Sequence, residues 1–249
     1  MTYRTLGIVL RRRDVRETDR LYTIFTKSHG KIEAIARGSR KILYKLSPHL
    51  ESFATVDLLI AKGRLWDHVA GVEAVERFDF ISQRFYPTWA AFYAFELTDS
   101  LTKLSYRDYG LWNLLLEYMR TLNELPESSN LFSLKEVVRA YSCQLLLRLG
   151  VAPELGKCHA CKLDFFGGCE LSPSGIICPN CFAAGRREQT LKITENVLSS
   201  LRAYHSDSLQ SFLKREAAPE AKPASLAVNF LLRSHLGSIL KTEKLIQLA

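Results

Sequence analysis

The first eighty residues alternate between short apolar runs and turn-forming breaks, a pattern that predicts strands. Leu6 to Leu10 (LGIVL) is apolar and gives way to Arg11 to Asp19, which reads as a charged loop. Arg20 to Lys27 (RLYTIFTK) and Lys31 to Arg37 (KIEAIAR) are strand-like, joined by the hairpin signal Ser28-His29-Gly30. In the second of these, Ile32, Ala34 and Ala36 share one face, and Lys31, Glu33, Ile35 and Arg37 the other. After a polar stretch through Ser47-Pro48, Ala54 to Ala61 and Leu65 to Val75 make two more strands, broken by Lys62-Gly63-Arg64. Five short strands in about 75 residues fit a small barrel such as an OB-fold, although periodicity alone does not separate it from an SH3-like barrel.

From Phe80 onward the apolar positions recur every three or four residues, which predicts helices. These run over Phe85 to Leu104, Tyr109 to Leu122 and Leu131 to Leu149, with Asn123 to Asn130, including Pro126, as a break. A second helical block covers Thr194 to Phe212 and Ala224 to Leu248, interrupted at Glu216 to Pro223. Between the blocks lies a cysteine-rich insert at about residues 153–186. The expected organisation is a barrel domain over residues 1–80 and a helical domain over 81–249 that carries the insert. No apolar run approaches the roughly 18 residues of a spanning helix. Arg11, Arg12 and Arg13 follow too soon for a signal peptide, so the expected location is cytoplasmic.

Charge changes this picture because of where it lies. The net charge is +8, and residues 1–45 hold twelve Lys and Arg against four acids. The rest of the chain has equal numbers of each sign, so all the excess sits in the first fifth. That asymmetry points to a polyanion, either nucleic acid or an anionic membrane surface; the plain alternative is a solvated face.

Six cysteines occur, at positions 143, 158, 161, 169, 178 and 181. Four make Cys158-x2-Cys161-x16-Cys178-x2-Cys181, the spacing of a zinc ribbon. Two residues between thiolates let one tight turn present both sulfurs to one metal, and two such turns complete a tetrahedron. Disulfides and a redox-active CxxC are the alternatives; the expected cytosolic location disfavours the first, and two matched pairs favour one metal over two redox centres. Four thiolates close the coordination sphere, so one structural zinc per chain is expected. Cys169 reads as a substitute ligand or a free thiol, and Cys143 as a core residue.

There is no P-loop, HExxH or GxSxG, and His49-Leu50-Glu51 lacks the PCxxC that a zinc deaminase requires. The expectation is a protein without catalytic residues.

The order of parts resembles the RecO family of bacterial recombination mediators. The similarity is strongest over Thr5 to Lys41, in Glu17-Thr18-Asp19-Arg20, Phe25-Thr26-Lys27, His29-Gly30-Lys31 and Arg37-Gly38-Ser39-Arg40. Leu171 to Cys181 (LSPSGIICPNC) is similar to the second half of that family's zinc motif, and His235 to Ile246 to its final helix. The resemblance implies an α+β multidomain protein: an N-terminal OB-fold that binds single- and double-stranded DNA, then a helical domain with a zinc ribbon. It also implies strand annealing, work with RecR, and contact with the acidic C-terminal tail of single-stranded-DNA-binding protein. RecA loading would follow indirectly, in a nucleoid-associated bacterial protein with no membrane role.

On that reading Arg11, Arg12, Arg13, Arg16, Arg20, Lys27, Lys31, Arg37, Arg40, Lys41 and Lys45 track phosphates. Tyr22, Phe25 and Tyr44 are candidates to stack on bases, Phe25 being better explained as core because Leu21, Thr23 and Phe25 share a face. Arg120, Arg139 and Arg148, among apolar helix positions, are candidates for the acidic tail, against the reading that they merely solvate outer faces. Two other functions stay open on the residues: a zinc-ribbon adaptor that binds RNA, and a hydrolase with an unrecognised site.

Overall fold

The structure is a computed structural model and describes residues 1–15, 17–39, 50, 53–126, 131–185, 189–215 and 221–243. Arg16, Arg40, Lys41, Tyr44 and Lys45 lie outside the described residues. The chain divides into two compact units, Met1–Leu125 with Leu240–Ala249, and Pro126–Ile239. The sequence boundary at residue 80 therefore marks the end of the barrel, while the first unit runs further and gathers in the chain's end. No helix among the described residues is long and apolar enough to cross a membrane.

The first unit is built on β1 (Thr2–Asp14), β2 (Arg20–Thr26), β3 (Gly30–Ala36), β4 (Ala54–Ala61) and β5 (Asp67–Arg77). They close in the order β1-β2-β3-β5-β4, with β4 returning to β1. The narrowest seam is parallel and short, pairing Ala34 with Asp67 and Ile35 with His68 between β3 and β5. This is the small barrel expected, with the strand order of an OB-fold. Alternation places Tyr22, Ile24, Ile32, Ala34, Ala36, Val56, Leu58 and Ile60 in one buried core.

β1 is longer than the apolar run that announced it. The stretch Arg11 to Asp14 is not a loop but continues the strand, pairing Arg11 with Thr23 and Asp14 with Arg20 after an irregularity between Val9 and Arg11. Backbone pairing with β2 overrides a side-chain composition that favours solvent.

Helices α1 (Asp79–Ser82), α2 (Phe85–Leu101) and α3 (Tyr109–Asn123) complete the first unit. The residues after α2 fasten to the barrel through the fingerprint His29-Gly30-Lys31. Lys31 Nζ donates to the Asp99 carbonyl at 2.6 Å, to Asp99 Oδ1 at 3.0 Å and to the Thr102 carbonyl. Ser105 N–H donates to the Lys31 carbonyl at 2.8 Å. Gly30 has φ +66°, and a Cβ there would meet the Tyr106 carbonyl oxygen at 2.1 Å, so only glycine fits.

Lys241 and Thr242 are held on α2 by Glu96. Its carboxylate accepts from Lys241 N–H at 2.8 Å, Thr242 N–H at 2.9 Å and the Thr242 hydroxyl at 2.7 Å. Trp89 Nε1–H donates to the Thr242 carbonyl at 2.8 Å. Burial tends to raise the Glu96 carboxyl, but the Thr242 and Lys241 donors outweigh it and hold the group below its ordinary range. A carboxyl depressed on folding adds stability above its unfolded pKa and loses it as pH falls through the folded value. Acid is therefore expected to release this segment, and Glu96→Gln to remove that pH dependence at a cost of about 1 kcal/mol at neutral pH. Amide exchange at Lys241 and Thr242 measures it; protection in the parent that is flat from neutral to strongly acidic pH contradicts it.

The second unit comprises α4 (Leu131–Arg148), a sheet of β6 (Cys169–Ser172), β7 (Gly175–Ile177) and β8 (Leu191–Ile193) with α5 (Pro179–Ala183), then α6 (Glu195–Ser206), a 3-10 turn (Leu209–Lys214) and α7 (Ala221–Arg233). The sheet order is β7-β6-β8, so its third strand falls beyond the insert expected at 153–186. Two expected helices are shorter than their apolar period. Thr194 caps α6 by accepting from Val197 N–H at 3.3 Å, and the helix stops at Ser206 rather than reaching Phe212. The expected Ala224 to Leu248 helix ends at Arg233, before the Ser234-to-Ser238 stretch that contains Gly237.

Candidate metal centre and nucleic-acid interface

The cysteine insert is assembled by backbone pairing. His159 N–H donates to the Ile176 carbonyl at 2.7 Å and Ile176 N–H to the Glu154 carbonyl at 3.1 Å, so the first Cys-x2-Cys turn lies along β7. β7 runs directly into Cys178, where Pro179 starts α5 and the second turn. Lys162 closes the first turn in a left-handed conformation, φ 63°, its N–H donating to the Cys158 carbonyl at 2.8 Å.

The result is four sulfurs, of Cys158, Cys161, Cys178 and Cys181, all within 4.8 Å of one another. A tetrahedron with metal–sulfur bonds of about 2.3 Å has edges of about 3.8 Å, so the cluster needs only a small contraction to hold one ion. Burial by itself raises the Cys158 thiol, but amide N–H groups of Cys178, Cys161 and Ala160 bring it down to about 6. The Cys178 N–H lies 3.4 Å from Cys158 Sγ. Cys181 is pushed up to about 12, first because its thiol donates hydrogen bonds to Cys178 and Cys161 and so holds a proton that a cation would displace. The group that could hold a metal ion is thus the one the spacing predicted.

Cys169 stands apart from it. It is buried on β6 opposite Ile193, and burial, with the nearby Glu195 charge, raises its thiol to about 11. Cys143 is wholly buried on α4, its thiol raised to about 12 by burial, and it belongs to the core as expected.

Arg12, Arg13, Arg20 and Arg37 collect at one end of the barrel, because the register links the end of β1, the start of β2 and the end of β3 through Asp14, Arg20 and Ala36, whereas Lys27 and Lys31 lie at the opposite end of the β2–β3 hairpin. Asp19 ties the loops there together. Its Oδ1 accepts from Gly38 N–H at 2.9 Å and from the Thr18 hydroxyl at 3.1 Å, which accounts for the fingerprint around Thr18 and Asp19. Arg11, Arg12, Arg13, Lys27 and Arg37 are exposed. Arg11 lies 3.3 Å from Asp99, Arg13 3.9 Å from Glu33, and Arg20 3.0 Å from Asp14. The Arg11 and Arg13 guanidinium groups are more than half exposed, so a phosphate can compete for them, whereas the Arg20 side chain is largely covered.

Two of the expected DNA contacts are not on the surface. Tyr22 is fully buried in the barrel core, with no ring face open to a base, because both faces of β2 are covered. Phe25 is buried too, as its face predicted. Lys31 is enclosed by its bonds to Asp99 and Thr102 and serves the fold instead of a phosphate. Conversely, Lys62 and Arg64, which read in the sequence only as a break, and Trp66, which reads as part of a strand Leu65 to Val75, are all exposed between β4 and β5.

The three arginines proposed for an acidic peptide are divided between the units. Arg120, on α3, donates to both carboxylate oxygens of Glu76 at 2.8 Å each. Arg139, on α4, is largely buried against Glu136, whose two oxygens also accept from the Tyr204 hydroxyl at 3.0 and 2.9 Å. An arginine committed to a buried carboxylate cannot serve a peptide as well, which corrects its assignment. Arg148 is exposed.

A small five-stranded barrel with exposed arginines, followed by a helical unit whose four clustered cysteines could hold a metal ion, defines the architecture of this chain. The chain matches the family model "Recombination protein O N terminal" over residues 1–78 and "Recombination protein O C terminal" over 85–244. It is 31% identical over 245 residues to the DNA repair protein RecO of Synechococcus sp. (strain JA-3-3Ab), covering 94% of this chain and 79% of that one. Against the DNA repair protein RecO of Roseiflexus sp. (strain RS-1) it is 31% identical over 244 residues, 97% of this chain and 82% of the relative. Against that of Listeria monocytogenes serotype 4b (strain CLIP80459) it is 27% identical over 247 residues, 97% and 92%. The chain belongs to the RecO family.

Proposed function

We propose that this protein is a recombination mediator in DNA repair that binds single- and double-stranded DNA at the basic end of its barrel without catalysing any reaction on it. The observation that carries this is the confinement of the whole +8 net charge to residues 1–45, with Arg11, Arg12, Arg13 and Arg37 exposed at one end of the barrel. Neutralising phosphates there lets two like-charged strands approach while their bases remain free to pair, so annealing requires no catalytic group. Family membership supports the further roles: cooperation with RecR, action on DNA coated by single-stranded-DNA-binding protein, and help in loading RecA.

The four-thiol cluster takes zinc, one ion per chain, in a structural role. Four thiolates suit that borderline-soft cation and leave it no open position for chemistry.

The test uses labelled single-stranded and duplex DNA of mixed sequence, incubated with the protein and divalent metal. Expected is salt-sensitive binding with little sequence preference and intact DNA at the end. Strong preference for RNA of the same sequence supports a ribonucleoprotein adaptor instead, and strand cleavage overturns the non-catalytic reading.

A further inference from the structure

The turn between β4 and β5 carries an unusual side chain in an unusual setting. Of the three tryptophans, Trp89 and Trp112 are 7% and 2% exposed, whereas Trp66 is 39% exposed beside Leu65 at 85%. Two adjacent apolar side chains at a turn gain nothing from water, and a solvated tip is ordinarily polar.

The tip is also held firmly. Lys62 N–H donates to the Met1 carbonyl at 2.9 Å. Asp67 accepts from Gly63 N–H at 3.3 Å and from the Tyr3 hydroxyl at 3.2 Å, so the acid of this turn is already engaged. The Tyr3 ring lies 4.1 Å from that of His29 and 5.9 Å from Lys62 Nζ. Gly63 permits the tight reversal: a Cβ there would meet the Trp66 carbonyl oxygen at 2.0 Å. An aromatic ring on a braced turn loses little freedom on binding.

Exposed cations share the turn with it. Lys62 and Arg64 are exposed on the turn itself. Across the β3–β5 seam, Arg37 Nη2 lies 3.4 Å from His68 Nε2, two residues beyond Trp66, which joins the turn to the basic end of the barrel. A flat apolar ring among phosphate-binding cations matches single-stranded nucleic acid, whose unpaired bases offer faces that a duplex conceals.

We propose that Trp66 stacks on an unpaired base of single-stranded DNA, with Lys62, Arg64 and Arg37 holding the flanking phosphates. This rests on the DNA-binding function proposed above and gives the barrel its preference for unpaired over paired strands.

The experiment titrates the full-length protein and its W66F and W66A variants with fluorescein-labelled oligothymidylate and with a duplex of equal length, following anisotropy and intrinsic tryptophan emission. In the parent, oligothymidylate quenches emission. W66F abolishes the quench while affinity stays within about twofold, because phenylalanine still stacks. W66A weakens oligothymidylate binding about tenfold and duplex binding much less. Parent and W66A binding oligothymidylate equally tightly, or a parent that binds it with no change in emission, overturns the stacking role and leaves DNA binding intact. A parent that binds neither DNA overturns the DNA-binding reading itself, and the stacking role with it.

Discussion

Serine in place of Cys158 or Cys178 is expected to strip the protein of its metal and to destabilise the second unit. The Cys158 thiol is brought down to about 6 and receives the Cys178 N–H, so its sulfur is prepared to bind a cation as thiolate. The strands that bring the two turns together are short, four residues in β6 and three in β7, and bury too little apolar surface to hold the insert alone. Structural zinc contributes about 10–16 kcal/mol in small zinc domains. A quarter of that, roughly 2.5–4 kcal/mol for one ligand of four, is comparable with a domain's whole margin of about 5–15 kcal/mol. Elemental analysis is expected to find one zinc per chain in the parent and well under one in either variant, with a lower melting transition. A metal-free parent whose four thiols all react freely under native conditions contradicts the metal site.

The second large effect lies in the barrel. Changing Arg12, Arg13 and Arg37 together to alanine is expected to weaken single-stranded DNA binding by orders of magnitude at low salt. Each phosphate contact contributes a slope of about 0.7 in a log–log salt titration on single strands, so three together reduce it by about two units. Lys31→Met makes an instructive contrast. Lys31 counts as a cation like the others in the sequence, but it is spent on Asp99 and Thr102, so its loss should lower stability and leave the salt slope nearly unchanged. A triple variant that retains both affinity and slope moves the DNA site away from this end of the barrel.

That contrast shows what the sequence reveals and what it hides. The barrel strands are legible as short apolar runs between turn signals and the three central helices as longer segments with apolar positions three or four apart, and the cysteine spacing identifies its four sulfurs by local chain geometry alone. Burial of polar and aromatic residues is not legible in the same way. Tyr22 and Lys31 lie on opposite faces of a hairpin, and only the enclosure of both faces, by the barrel core on one side and the end of α2 on the other, reveals that neither meets solvent. Arg139 looks like an outer helix charge until Glu136 and Tyr204 are seen around it. Helix ends are hidden for a related reason: the apolar period persists past Ser206 and Arg233, although Asp207-Ser208 and the stretch around Gly237 stop the backbone. Trp66 reads in the sequence as part of the strand Leu65 to Val75, but β5 starts only at Asp67 and leaves it in the turn. Its exposure follows from a turn whose shape depends on Gly63, Asp67 and Tyr3 together.

The central claim is that this chain mediates pairing on protein-coated strands, and strand annealing tests it most directly. Two complementary oligonucleotides are coated with single-stranded-DNA-binding protein and mixed with or without the chain, and duplex formation is followed by fluorescence resonance transfer. The expected result is slow annealing without the chain, acceleration with it, and loss of that acceleration in the Arg12/Arg13/Arg37 variant. Equal rates with and without the chain, at concentrations where it binds the DNA, contradict the mediator function.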